Sequence, residues 1–115
     1  MYGKEPTPRQ TLALLLGASE FPNAPTFAHG EAFYHSAYDF RQYLLNDLGL
    51  PRENVAWFFD DSRSPSDQLL KIGDFLETSS RELASQGMSA QDLIIHYVGH
   101  GLFTGGEQSY CFAVR

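Results

Sequence analysis

The segment DLIIHYVGHG (residues 92–101) opens on an acid and closes on Gly99-His100-Gly101. Between them Leu93, Ile94, Ile95, His96, Tyr97 and Val98 form a short, mostly apolar run of β-branched and aromatic residues. A run of that length fits a strand buried on both faces, as in a parallel sheet, better than a helix. It delivers His100 to the strand's carboxyl end between two glycines. In open α/β sheets that edge is where sites are built. The glycines clear side-chain bulk from both sides of the imidazole, so a substrate backbone can approach it. Glycine-flanked histidines also occur in ordinary turns, so the order of the surrounding elements carries the argument.

Outward from this segment the chain alternates. Residues 1–10 hold two prolines and read as an N-terminal arm, and residues 11–115 read as part of one domain. TLALLL (11–16), stopped by Gly17, reads as a strand. Residues 17–30 form a long loop from its carboxyl end. Phe33, Ala37, Phe40, Leu44 and Leu48 make one apolar helical stripe over residues 33–48, and Gly49 and Pro51 end it. VAWFF (55–59) is a second strand, ended by Asp60-Asp61. The next helix opens at Ser64-Pro65-Ser66, with either Ser64 or Ser66 as cap. Leu69, Ile72, Leu76 and Leu83 share one side of it, and Gly87 marks its end. After residues 92–98, Gly105-Gly106 gives a turn, and YCFAV (110–114) reads as a fourth strand. Two β-α-β crossovers imply a parallel sheet with right-handed connections.

Composition narrows the function. The chain has 115 residues, 43% of them hydrophobic, and a formal net charge of −6. No basic stripe exists to neutralise phosphates, so nucleic acid is not an expected partner. No apolar stretch approaches the length of a membrane span, and the first ten residues lack a signal-peptide pattern. The single cysteine, Cys111, excludes an internal disulfide framework. A reducing cytoplasm is the expected compartment.

Three stretches, in this order, are similar to the large-subunit half of a caspase-type cysteine peptidase, the group that includes metacaspases. LALLLGASEFPNAP (12–25) resembles that family's first strand and loop. HSAYDFRQYLLNDLGLPRENV (35–55) resembles its first helix. DLIIHYVGHG with SYCFAV (109–114) resembles its histidine strand and the one after. The resemblance spans nearly the whole chain, and strand-plus-GHG is its most specific part. It implies an α/β fold: a three-layer α/β/α sandwich with a mostly parallel sheet, incomplete in this chain. It implies that His100 is the catalytic base, which activates a thiol and then protonates the leaving amine. It implies that the Gly101 N–H is an oxyanion-hole donor. Asp39 stands where metacaspase-like members carry an acid in the S1 pocket, which favours Arg or Lys at P1. Caspases that cut after Asp place an Arg in the loop after the first strand, and residues 17–30 hold no Arg or Lys.

The nucleophile is the departure. In caspases the Cys lies roughly 50 residues beyond the His. Cys111 is too close to His100 and sits inside an expected strand, where a buried small hydrophobe is the simpler role. The chain alone is therefore expected to be inactive, with the Cys supplied by a C-terminal small-subunit portion acting on a protein or peptide substrate. The parallel sheet also ends uncovered at Arg115, which reads as the first part of a larger domain. If Asp39 makes the site basic-specific, a chain ending in Arg115 fits the product of the enzyme's own cut or of a related protease; an unrelated boundary or a proteolytic accident explains it equally. The alternative from another class is a catalytically inactive caspase-like binding or scaffolding module.

The remaining residues have simpler readings. His96 and His100 would lie about 13 Å apart along a strand, too far to share a metal ion. His96 is then a core or supporting histidine, Trp57 is core, and Tyr97 faces the opposite layer. His29 and His35 default to the surface. No cofactor is expected. Asp60 and Asp61 could bind Mg²⁺ or Ca²⁺, and some metacaspases respond to Ca²⁺, but solvated turn acids are the plainer reading. The glycine spacing is not that of a dinucleotide loop, and no P-loop is present. A flavodoxin-like receiver needs acids after its first strand, where Gly17-Ala18-Ser19 offers none.

Overall fold

The computed structural model describes residues 7–19 and 31–99, together with the backbone of 101–104 and 109–112. The elements are β1 (Thr11–Gly17), α1 (Glu31–Gln42), β2 (Val55–Phe59), α2 (Pro65–Ser85), β3 (Asp92–Val98), β4 (Gly101–Thr104) and β5 (Ser109–Phe112). The chain is mixed α/β. β1 lies in the middle of a three-stranded sheet of order β2-β1-β3, with both pairings parallel. Leu15 stands opposite Trp57 on one side and His96 on the other. Because β2 and β3 flank β1 on opposite sides, right-handed crossovers put α1 and α2 on opposite faces.

Burial follows the period of two. Ala13 and Leu15 point to the α1 face and join Leu44 and Leu50 in one core, with Phe40, Leu48, Val55, Trp57 and Ile94 packed around it. Leu12 and Leu14 alternate onto the other face and are equally buried. Leu15 and Leu44 are enclosed completely, each worth about 1.5–3 kcal/mol of apolar burial. The stripe read over residues 33–48 faces this core, but the helix does not stay regular. A wide π turn at Tyr43–Asp47 follows α1, and the Leu48 N–H donates to the Tyr43 carbonyl. Gly49 then takes φ +74 and the Leu50 N–H donates to the Leu44 carbonyl, closing the end.

Ser64 is the cap of α2, with Pro65 at the first position; the Ser64 hydroxyl accepts from the Asp67 N–H at 3.1 Å. Gly87 at φ +75 closes the helix. The stripe expected on α2 needs one correction. Leu69 is 69% exposed, and the buried residue of that turn is Gln68. Its amide donates to the Asp61 and Arg63 carbonyls, so a polar group is buried with its hydrogen bonds made.

Beyond β3 the chain also differs from expectation. The strand read at 110–114 is β5, and it pairs antiparallel with β4, an extra strand, in its own two-stranded sheet. Residues 7–10 of the expected arm are pinned. A 3₁₀ turn at Pro8–Gln10 leads into β1, Arg9 donates to Gln86, and Gln10 donates to the Ser89 carbonyl. Asn54, buried, donates to the carbonyls of Arg9 and Thr11 and ties the amino ends of β1 and β2 together. No helix among the described residues is long and apolar enough to cross a membrane.

Candidate active site

Three parallel strands end together at one edge, and their ends are cross-linked. β1 stops at Gly17, whose φ of +121 is open to glycine and strained for other residues. The approach to β3 is equally exclusive: a Cβ on Gly17 would lie 1.8 Å from the Val98 carbonyl oxygen. That oxygen accepts the Ala18 N–H at 3.1 Å. On the other side the Asp60 N–H donates to the Gly17 carbonyl at 2.9 Å. Asp60 then reaches back with both carboxylate oxygens. Oδ1 accepts the Ser19 N–H at 2.7 Å and Oδ2 accepts the Ser19 hydroxyl at 2.6 Å.

The two acids after β2 are therefore engaged, not solvated. Asp60 holds Ser19. Asp61 holds Arg63, whose Nε donates to both carboxylate oxygens and whose Nη2 pairs with Oδ2. The hydrogen bonds from Arg63 keep the Asp61 carboxyl below the usual carboxylate range. Arg63 also lies over the Phe58 ring, at 5.8 Å from its centroid. Among the described residues no three His, Cys, Asp or Glu side chains are grouped to hold a metal ion.

β3 carries the chain to Gly99, at φ +154. The Tyr97 hydroxyl folds back over that glycine, 2.8 Å from where a Cβ would stand. His100 lies outside the described residues, as do His29, Arg115 and residues 20–30 of the loop after β1. Gly101 is the first residue of β4, in register with Phe112 of β5. Cys111 falls within β5, opposite Leu102.

Asp39 is exposed on α1. Its neighbour Phe40 meets the sheet, and one residue turns a helix by about 100°, so Asp39 projects off the sheet-facing side. From this helix it is Tyr34 that reaches a strand end, its ring centroid 6.2 Å from that of Phe59, the last residue of β2. A hollow of about 410 Å³, lined by Arg9, Asn54, Glu82 and Gln86 among others, lies at the amino end of the strands, away from the glycine-histidine edge.

His96 has a supporting position. It is half-buried, and its ring stacks on Phe40 with centroids 3.9 Å apart and planes 17° from parallel. Burial holds the imidazole below its ordinary value of 6.5. The unfolded chain takes up that proton first as pH falls, so the stabilisation is complete above about 6.5 and is lost as pH drops through the folded value. His96→Phe keeps a ring on Phe40 and removes the titration. Denaturant midpoints at about pH 7.5 and about pH 5 should show the variant gaining on the wild type in acid. Parallel acid losses in the two proteins would refute this.

Trp57 is less enclosed than the sequence implies. It is half-buried, with Tyr34 and Phe59 against its ring and the Arg41 guanidinium 5.7 Å from its centroid. His35 is on the surface, edge-on to Tyr34.

No protein-family model, curated protein or solved structure matches the chain.

Proposed function

We propose that the chain is the large-subunit portion of a caspase-like cysteine endopeptidase, one side of a three-layer α/β/α sandwich that further segments complete. The observation that carries the reading is the carboxyl edge of the sheet: β3 lies beside the central strand, runs into Gly99-His100-Gly101, and is followed at once by a hairpin. In this reading His100 takes the proton from a cysteine thiol that a C-terminal small-subunit portion supplies. The thiolate attacks the scissile carbonyl, and the Gly101 N–H stabilises the oxyanion that develops. His100 then returns the proton to the leaving amine, and water hydrolyses the thioester. The preference for Arg or Lys at P1 draws on the resemblance at Asp39.

A set of fluorogenic peptides varied only at P1, offered to the full-length protein, tests this. Peptides with Arg or Lys should be cleaved and those with Asp should not. Asp39→Asn should lower kcat/KM for basic P1 roughly tenfold or more, the value of one charge-assisted hydrogen bond of about 1.5–3 kcal/mol. Equal cleavage after Asp and Arg would remove the Asp39 assignment. No cleavage at any P1 would favour the inactive binding module.

A further inference from the structure

We propose that Asp60 is a positioning residue for the carboxyl edge of the sheet, holding the turn after β1 against the residues that leave β3. This rests on the peptidase reading and deepens it. Asp60 has φ +56, and it is the one non-glycine residue with positive φ among those described. Asp is among the few side chains that tolerate that region. Such backbone persists only where its surroundings fix it, and it gathers at functional sites.

The left-handed turn gives the carboxylate its reach. Asn or Gly would suit the backbone equally well, but neither presents two anionic oxygens. Asp60 uses both, one on the Ser19 N–H and one on the Ser19 hydroxyl, while its own N–H holds the Gly17 carbonyl. Residues 17 and 19 are thus gripped from β2, with Ala18 between them. Ala18 spends its N–H on the Val98 carbonyl, the last of β3. The connection runs unbroken from Asp60 through Ser19 and Ala18 to Val98, one residue short of the Gly99-His100-Gly101 motif. Asp61 takes no part, being bound to Arg63.

The test uses the full-length protein with Asp60→Gly, Asp60→Asn and Ser19→Ala. Asp60→Gly accepts the left-handed backbone but loses both carboxylate bonds to Ser19, so its Tm should fall by several degrees with the fold kept. Amide hydrogen exchange at Ala18 and Ser19 should speed up roughly tenfold or more, and the Val98 and Gly99 resonances should shift. With the best P1 peptide, kcat should fall about a hundredfold at little change in KM, the cost of roughly a 1 Å misplacement of a reacting group. Asp60→Asn should recover part of this, and Ser19→Ala should lie between. A lowered Tm with kcat unchanged, or exchange at residues 18 and 19 as slow as in the wild type, would overturn the proposal. A wild type that cleaves nothing would remove the peptidase reading alone, and the exchange and resonance measurements would still decide on Asp60.

Discussion

Gly17→Ala is expected to destabilise the fold by about 3–5 kcal/mol, the range reserved for a substitution that breaks a packed backbone. Two independent costs combine. The residue sits at φ +121, where an L side chain is strained. The added methyl would also stand 1.8 Å from the Val98 carbonyl oxygen and 2.8 Å from its carbon. Both atoms are backbone of a paired strand, so relief requires β1 and β3 to part at their ends. Gly49 and Gly87 provide controls. Each has positive φ, but a Cβ there meets nothing within 4 Å, so alanine should cost only about 1 kcal/mol. Chemical denaturation of the three variants checks the ranking. A Gly17→Ala midpoint no lower than those of the controls would mean that the close approach of β1 to Val98 is wrong.

His100→Ala in the full-length protein should lower kcat/KM roughly 10²- to 10⁴-fold for the preferred peptide, the usual contribution of a positioned general base. The loss should fall on kcat, because the imidazole acts on protons that move in the reaction and not on peptide binding. The acid limb of the pH–rate profile should vanish with it. The fold should be untouched, since Gly99 and Gly101 set the backbone on either side. Activity within a few-fold of the wild type, with the acid limb intact, would assign the motif to an ordinary turn.

Much of the fold was legible because apolar pattern and punctuation agreed. TLALLL, VAWFF and DLIIHYV are bounded by Gly or Asp, and each is a strand of one parallel sheet. The stripe from Phe33 to Leu48 faces the core, but its spacing of four at Leu44 and Leu48 suits a π turn as well as an α turn, so the wide turn left no mark in it. Leu69 misled because hydrophobicity cannot register that Gln68 satisfies its amide on two loop carbonyls. GLFT is too short, and too close to glycines, to announce a strand. At the candidate site the sheet edge was readable from the order of elements. The Asp60–Ser19 pair was not, because its members are 41 positions apart and only the parallel pairing of β1 with β2 brings them together. An Asp directly after a strand, facing a Gly-Ala-Ser turn after its neighbour, is the signal that could have revealed it.

Of the three strands in the parallel sheet, the first in chain order lies in the middle. Leu12 and Leu14 emerge long before Leu93 and Ile95, the residues that register beside them. Until that later segment is synthesised, the β3 side of β1 has no ladder to join. Such distant pairing slows productive collapse, so the yield of native protein should depend more on how translation is paced between β2 and β3 than on the strength of either helix.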